Sequence, residues 1–291
     1  MVKEMTDLEK QIAALRYRPR VVLRKTRAIY QATLRESRHI RASNFTMIAA
    51  EDVERLYRLY DETFFNGLFQ RLLSRDGEGG LTFRVSSRMS SAGGKTIRVQ
   101  RRVPSKEGVR TVFAYELAVS ARLLFQTFQG EERAVIAAGL PCADRLEALQ
   151  RIVEHEMVHL LELLVWRESS CDRERFQRLA GNLFAHTTVR HELVTQREIA
   201  HRHFGIKVGD RVTFEYEGVR HTGVVQRITQ RATVLVEDPR GQMYSDGKHY
   251  RKYYVPVPLL VPAPGTAPLQ AAPVGKTALG EAPKESEGLH S

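Results

Sequence analysis

The sequence has few cysteines, fewer acidic than basic residues and no long apolar run. Only two cysteines occur in 291 residues, Cys142 and Cys171, and this scarcity predicts free thiols instead of a disulfide framework. The amino-terminal residues are charged and include no apolar core, so we expect no signal peptide. No run of about 18 apolar residues is present, so we also expect no membrane span. These absences predict a cytoplasmic protein without a membrane partner.

The shortage of acidic residues leaves a large positive charge. The chain has 45 Lys and Arg against 34 Asp and Glu, which gives a formal net charge of +11. Such a charge favours polyanionic partners, with nucleic acid first, and would allow association with a nucleoid. A basic protein with no such partner explains the charge equally well. Apolar residues make up 42% of the chain, enough for one domain of ordinary size and a smaller second one.

The clearest chemical pattern lies within Arg151–Leu164, where His155-Glu156-Met157-Val158-His159 forms an HExxH sequence. No Pro or Gly interrupts residues 145–167 and apolar residues recur at helical spacing, so we expect a helix. Histidines four residues apart lie on one face of a helix, where both imidazoles can bind one Zn²⁺ ion. Glu156 can then serve as a general base or acid. An ordinary core helix is the alternative, but its buried His and Glu side chains would still need polar partners.

The residues around this pattern predict an α+β fold. Segments 46–73 and 174–184 have the apolar spacing of helices, and 143–164 is the helix that carries the HExxH sequence. Alternating apolar and polar residues predict three strands, which we expect to form a small antiparallel sheet, at 81–85, 95–100 and 111–120.

Residues 1–44 predict a basic helical amino-terminal arm. They are helical in pattern, with a break at Pro19, and they carry eleven Lys and Arg against four Asp and Glu. One interpretation is that the arm contacts phosphates or an acidic surface. The other is a solvated helix that packs against the main domain, which residues 45–204 would form.

The character of the sequence changes near residue 205. Short alternating strands separated by Gly-rich turns predict a small all-β, SH3-like barrel over 205–262. This region mixes cations with tyrosines, as nucleic-acid-binding modules do, and Arg227, Arg231 and Lys252 are the candidate contacts. A structural or protein-binding barrel is the alternative. Residues 263–291 are rich in Pro, Ala and Gly and predict a disordered tail.

Four further segments accompany HEMVHLLELLVW within residues 56–187: LYDETFFNGL at 59–68, Ala92-Gly93, Arg175-Phe176 and Phe184-Ala185-His186-Thr187. Together they resemble the SprT-like zinc metalloprotease family, which includes Spartan-type DNA–protein crosslink proteases. The resemblance implies a compact mini-zincin domain of helices and a small sheet, with Zn²⁺ as its cofactor. It also implies a protein substrate that is bound or crosslinked to DNA, and DNA before RNA as the nucleic-acid partner.

The third zinc ligand departs from the pattern that the resemblance implies. The family supplies a third His in an H-G-x-x-F sequence, and counting back from Phe176 places Asp172 at that position. A carboxylate from Asp172 or a thiolate from Cys171 can take the place of the missing imidazole. His186 and Glu168 are further candidates, and the preferred role of His186 is to orient a ligand through a hydrogen bond.

Two functions from different classes follow from these patterns. The first is a zinc-dependent metallopeptidase, with His155, His159 and a third residue as ligands and Glu156 as the catalytic residue. The second is a zinc-stabilised nucleic-acid-binding protein with little or no protease activity, which the missing third His supports. A site closed by four protein ligands would be structural, whereas an open one would be catalytic. A weaker third interpretation is a ribosome-associated factor that acts through the barrel.

Overall fold

The computed structural model describes residues 6–75, 80–105, 108–130 and 133–263, so the predicted tail lies beyond the described residues from 264 onward. The chain divides into two compact units, Met1–Thr195 and Gln196–Ser291. Helices and small sheets together make an α+β fold, as predicted. The division lies ahead of the predicted boundary at residue 204, because the helix that begins at Gln196 contributes Ala200 to the core of the second unit.

Four helices open the first unit: α1 (Asp7–Ala14), α2 (Pro19–Glu36), α3 (Ala50–Phe65) and α4 (Leu68–Arg75). Proline is tolerated at the first position of a helix, where its missing N–H has no helical partner, and α2 accordingly begins at Pro19. α3 ends where Asn66 and Gly67 adopt left-handed backbone angles, with φ of 51° and 72°. Buried Val22 and Ile29 place α2 in the same core as α3. The described part of the predicted arm is therefore packed within the first unit.

Three strands follow and form one sheet in the order β1-β3-β2: β1 (Leu81–Ser86), β2 (Gly94–Ser105) and β3 (Gly108–Ser120). β2 and β3 form an antiparallel hairpin, whereas β1 and β3 are parallel. The prediction of an antiparallel sheet is therefore wrong for β1. The hairpin places β3 in the centre, and the chain crosses from one edge of the sheet to the other after β1, so β1 and β3 run in the same direction.

The HExxH sequence lies on α6 (Arg145–Trp166), a helix of 22 residues. The helix begins after Asp144, whose side chain accepts a hydrogen bond from the backbone N–H of Glu147. It ends where Arg167 adopts a left-handed backbone angle, with φ of 63°. Most of its side chains are buried in the core of the first unit. Neither α6 nor any other helix within the described ranges combines the length and the apolarity that a membrane crossing requires.

Short elements surround α6. Two helices, α5 (Ala121–Gln126) and α7 (Glu174–Phe184), flank it in sequence. A second small sheet has the order β5-β4-β6 and is built from β4 (Val135–Ala137), β5 (Leu140–Cys142) and β6 (His191–Glu192). β6 joins this sheet by pairing Ala137 with His191, which brings residues from beyond α7 back towards α6.

The second unit contains α8 (Gln196–Phe204) and an antiparallel sheet in the order β10-β9-β8-β7-β11. Its strands are β7 (Arg211–Tyr216), β8 (Val219–Ile228), β9 (Ala232–Met243), β10 (His249–Val255) and β11 (Val261–Pro262). Among the described residues, β10 and β11 do not pair with each other, so the predicted barrel is not closed. A 3-10 turn at Val257–Leu259 separates them, and β11 has only two residues with which to extend the sheet.

Candidate metal centre

His155 and His159 occupy successive turns of α6 and face each other. Their Nε2 atoms are 3.2 Å apart and their ring centroids 4.9 Å apart. Phe176, fully buried on α7, packs against both imidazoles, with its ring centroid 4.8 Å from that of His155 and 4.4 Å from that of His159. The helical spacing and the contact with Phe176 hold both Nε2 atoms next to each other on one face of α6.

Both imidazoles are neutral in this setting. Burial, reinforced by neighbouring histidines, lowers the pKa of His155 to about 2. Burial also lowers the pKa of His159 to about 4. A neutral imidazole that carries its proton on Nδ1 presents a lone pair on Nε2, the form that binds a metal ion. The two Nε2 atoms are 3.2 Å apart, so one imidazole can donate a hydrogen bond to the other, and both can turn their lone pairs to a metal ion once the proton of His155 moves to Nδ1.

The sulfur of Cys171 completes a group of three donors. Its Sγ and one nitrogen of each imidazole all lie within 4.8 Å of one another, and this is the one group of its kind found in the described residues. Cys171 is half-buried in the turn between α6 and α7. Asp172, the alternative predicted ligand, is exposed and lies outside the group, as do Glu168 and His186. Burial and the charge of Asp172 raise the pKa of the Cys171 thiol, so a bound cation is needed to keep the sulfur as a thiolate.

The carboxylate of Glu156 lies beside the donors and is held by β2. The hydroxyl of Thr96 donates a hydrogen bond to Oε2 of Glu156 at 2.8 Å. Burial raises the pKa of Glu156 to about 7, although hydrogen bonds from Thr96 oppose the shift. A carboxyl group with a pKa near neutrality can accept and release a proton at physiological pH. Sequence reasoning missed Thr96, because only the packing of β2 against α6 brings it to Glu156.

Gly94, the first residue of β2, makes room for the same carboxylate. A Cβ atom at this position would lie 2.6 Å from both Cγ and Oε1 of Glu156 and 2.8 Å from Cγ2 of Ile152. These separations are far below an ordinary van der Waals contact, so a side chain at residue 94 would displace Glu156. The close approach of β2 to α6 therefore depends on a glycine here.

A chain of polar side chains determines which nitrogen of His159 carries the proton. Arg175 donates from Nε to one oxygen of Glu162 at 2.6 Å, and the Ser169 hydroxyl donates to the other oxygen at 2.7 Å. Because the Ser169 proton is used in this way, its Oγ accepts a hydrogen bond from Nδ1 of His159, 2.7 Å away. We therefore assign the proton of His159 to Nδ1 and the lone pair to Nε2.

Replacing Ser169 with Ala removes the acceptor for Nδ1 of His159. Groups that orient a ligating histidine contribute about 10- to 100-fold to metal affinity. We expect the zinc affinity of Ser169→Ala to fall by a factor in that range, measured by competition with a chromophoric chelator. The neighbouring variant Ser170→Ala is the matched control and should keep its affinity. Equal zinc affinities in the two variants would contradict the assigned hydrogen-bond chain.

Behind the donors, Glu154 is fully buried at the centre of a polar network. Its carboxylate accepts hydrogen bonds from Tyr60 at 2.7 Å and from Arg151 at 2.7 Å, and Nε2 of His186 lies 2.8 Å away. Burial alone would raise the pKa of Glu154, but Arg151 and His186 outweigh burial and hold it below the usual value. The hydrogen bond predicted between His186 and a metal ligand is replaced by this bond to Glu154, so His186 steadies α6 directly before His155.

The donors line a cleft of about 620 Å³, together with β2, the turn before α7 and β6. His191 on β6 lies beside His155, with ring centroids 4.9 Å apart. Both ring nitrogens of His191 are buried without a hydrogen-bond partner among the described residues. An unsatisfied buried donor costs about 1–3 kcal/mol, so this side chain is suited to bind a ligand in the cleft. Sequence reasoning missed His191, because the pairing of β6 with β4 brings it here and no local pattern signals that pairing.

The predicted nucleic-acid contacts belong to the second unit. Arg227 on β8, Arg231 in the turn before β9 and Lys252 on β10 are all exposed. The ammonium group of Lys252 lies 5.7 Å from the centroid of the Tyr244 ring. β8 and β10 both pair with β9, so the three cations are carried by one sheet and its connecting turn.

Comparisons with family models, with curated proteins and with solved structures find no match to this chain. Functional conclusions therefore depend on the chain's own residues and their geometry. Of the site residues predicted from the sequence, the structure brings together His155, Glu156, His159 and Cys171.

Proposed function

We propose that the chain is a zinc-dependent metallopeptidase in which His155, His159 and Cys171 hold the ion and Glu156 is the general base. The observation that carries the proposal is the convergence of two imidazole Nε2 atoms, 3.2 Å apart, with the Cys171 sulfur in an open cleft that Glu156 also lines. Two nitrogens and one sulfur are donors that suit zinc. Three protein donors leave one coordination position open, which is typical of catalytic zinc sites.

The chain's own side chains account for the proton transfers of peptide hydrolysis. When bound, zinc would supply Lewis-acid chemistry, polarising a carbonyl and lowering the pKa of a water molecule. Glu156 accepts a proton from the attacking water and passes it to the leaving nitrogen. Thr96 orients the carboxylate of Glu156 for both transfers through its hydrogen bond to Oε2. Ser169 keeps the His159 proton on Nδ1 and so leaves Nε2 free to bind the ion.

The proposed substrate is protein that is bound or crosslinked to DNA. Support comes from the net charge of +11 and from the resemblance of residues 56–187 to SprT-like proteases. The same resemblance is the ground on which we propose a mini-zincin-like architecture for the first unit. For the second unit we propose an SH3-like module in which Arg227, Arg231 and Lys252 contact nucleic acid, because exposed cations and tyrosines lie together on a small antiparallel sheet.

A zinc-stabilised nucleic-acid-binding protein without protease activity is the alternative. It would require a fourth protein ligand to close the metal site. The donor group found in the described ranges has three members, and neither Asp172 nor His186 belongs to it. The open site is the better supported of the two.

The test is a proteolysis assay on zinc-loaded protein of known metal content. We expect one zinc per chain, cleavage of casein, and faster cleavage when duplex DNA is added. A chelator should stop the cleavage, and added zinc should restore it. Stoichiometric zinc without cleavage, in the presence or absence of DNA, would overturn the peptidase proposal and favour the structural site.

A further inference from the structure

The helix α2 and the residues around it carry most of the positive charge of the chain. Residues 16–41 contain nine Lys and Arg but one acidic residue, Glu36. Eight of the nine are arginines, and Lys25 is the exception. A guanidinium group can bind a phosphate through two hydrogen bonds at once, which the ammonium group of lysine does not do. The composition of this segment therefore favours a partner that carries phosphates.

Three of these arginines form a row along the outer side of α2. Arg20, Arg24 and Arg27 are spaced by four and three residues, so they lie one above another on one face of the helix. All three are exposed, whereas Val22 and Ile29, on the opposite side of α2, are buried in the core. We call the three residues the arginine row. At about 1.5 Å per residue the row covers about 10 Å of the helix.

The arginine row is not neutralised within the chain. Another exposed arginine, Arg58, pairs with the carboxylate of Glu54 at 2.6 Å. Within the described ranges, by contrast, no member of the row forms an ion pair or a side-chain hydrogen bond. Cations that are not paired internally attract a polyanion, because no existing pair has to be broken on binding.

The residues that lead into α2 extend this positive surface. Arg16 and Arg18 are exposed, and they too have no ion pair among the residues that the structure describes. Together with Asn182 at the end of α7 they line a cleft of about 500 Å³, and none of the described residues that line it is acidic. The cleft is large enough for a phosphodiester group, which would meet donors and no competing carboxylate.

A lipid surface fits α2 less well than a nucleic acid does. Helices that bind at a membrane surface bury an apolar face in the lipid layer. The apolar side of α2 is used in the core, and among the residues of α2, all of which are described, Leu23 alone exposes a large apolar side chain, at 67%. Duplex DNA needs no apolar face, because it offers one negative charge per about 1.7 Å of its length.

A partner on the arginine row would leave the metal cleft open. α2 contacts α6 through Gln150, whose Nε2 donates a hydrogen bond to the backbone oxygen of Thr26 at 3.0 Å. His159 follows Gln150 on α6 by about two and a half helical turns, so it lies on the opposite side of that helix. α2 therefore covers the side of α6 that faces away from His159. DNA on α2 and a polypeptide in the cleft can be bound at the same time.

We propose that the arginine row, together with Arg16 and Arg18, binds the phosphate backbone of duplex DNA and holds the chain on DNA while the metal cleft stays accessible. The inference rests on the proposed function for its nucleic-acid partner. It assigns a DNA contact to the first unit, in addition to the one that we propose for the second.

The experiment measures binding of the full chain to a fluorescein-labelled duplex by anisotropy, over a salt series. The row variant is Arg20→Gln/Arg24→Gln/Arg27→Gln. Each phosphate contact contributes about 0.9 to the slope of log affinity against log salt. We expect the row variant to lose about 2–3 from that slope and at least about tenfold in affinity.

The matched control removes the same charge from exposed positions of the first unit that do not form a row, and it is Arg88→Gln/Arg101→Gln/Arg178→Gln. It should lose far less of the slope and of the affinity. Zinc content and melting temperature show whether both variants fold. Equal losses in the row variant and the control would overturn the proposal. Row-dependent binding to phosphatidylserine vesicles, with DNA binding unchanged, would overturn it as well.

A charge-preserving variant, Arg20→Lys/Arg24→Lys/Arg27→Lys, gives a second test. Lysine keeps the positive charge but does not form the paired hydrogen bonds of arginine. We therefore expect this variant to keep the salt slope and to bind DNA more tightly than the row variant. A lysine variant that folds and yet loses as much of the slope as the row variant would contradict a phosphate contact.

Binding is measured without cleavage, so this inference and the peptidase proposal fail separately. An active peptidase whose DNA affinity does not depend on the arginine row would remove this inference alone. Row-dependent DNA binding by a protein that cleaves no peptide would remove only the peptidase assignment. In the absence of DNA, the row variant should cleave a free peptide at the unchanged rate, because the row lies away from the cleft.

Discussion

Glu156→Gln should lose peptide cleavage almost completely and keep its zinc. Glutamine has nearly the shape of glutamate and can still accept the hydrogen bond from Thr96, so the cleft should be preserved. It cannot accept a proton from the attacking water, however, and a positioned general base contributes about 10²- to 10⁴-fold to rate. We expect kcat to fall by that factor, measured with a fluorogenic peptide at equal zinc content.

The control for this result is Glu62→Gln, an exposed glutamate on α3 that faces solvent. It removes the same charge and should leave both cleavage and zinc binding unchanged. If Glu156→Gln cleaves as fast as the unchanged chain with zinc in place, another group must accept the proton, and His191 in the same cleft would be the next to replace.

Cys171→Ala should lose tight zinc binding, whereas Asp172→Asn should keep it. Cys171 supplies the third donor within 4.8 Å of the imidazole nitrogens, and Asp172 is exposed outside that group. Groups that only orient a ligand contribute about 10- to 100-fold to metal affinity, so loss of a ligand itself should weaken binding at least about 100-fold. Competition titration with a chelator measures the affinity of both variants.

Cobalt replacement gives this prediction a second readout. A thiolate bound to Co²⁺ produces a sulfur-to-metal charge-transfer band in the near ultraviolet. The band should be present in the unchanged chain and in Asp172→Asn, and missing in Cys171→Ala. Cys142→Ala is the matched control, because burial raises the pKa of the Cys142 thiol to about 12 and keeps it protonated. Loss of zinc binding in Asp172→Asn, with unchanged zinc affinity in Cys171→Ala, would show that the third ligand is the carboxylate of Asp172 and not the sulfur of Cys171.

The helix that carries the HExxH sequence is predictable because all of its determinants are local. Asp144 can cap it, no Pro or Gly interrupts it, and apolar residues recur at helical spacing. The predicted span 143–164 differs from the observed Arg145–Trp166 by one half-turn at each end. The relative placement of His155 and His159 follows from that helix alone.

The third donor is not predictable in the same way. Cys171 and Asp172 are adjacent, and the backbone of the turn decides which of the two side chains lies near the imidazoles. That backbone depends on the bonds of Arg175 and Ser169 to Glu162, which join three separate parts of the chain. Thr96 reaches the cleft only because β2 packs against α6, which places it beside Glu156, 60 residues away in sequence. His191 reaches the cleft only because β6 pairs with the distant strand β4.

The parallel pairing of β1 shows the same limit on a larger scale. Alternating apolar and polar residues predict where the strands lie in the sequence. They do not predict the direction of a strand or its neighbour in the sheet, because the alternation is the same for parallel and antiparallel pairing. The hairpin β2–β3 is local and antiparallel, whereas the position of β1 beside β3 results from burial against α3 and the rest of the core.

The contact of Phe176 with both imidazoles has a consequence for the order of folding and metal binding. Phe176 is fully buried on α7 and packs on His155 and His159, so the ligand positions are shaped by the apolar core. In small zinc domains the ion drives folding, and its removal unfolds the chain. Here we expect the first unit to fold before it binds the metal ion. It could then release and rebind the ion repeatedly without unfolding.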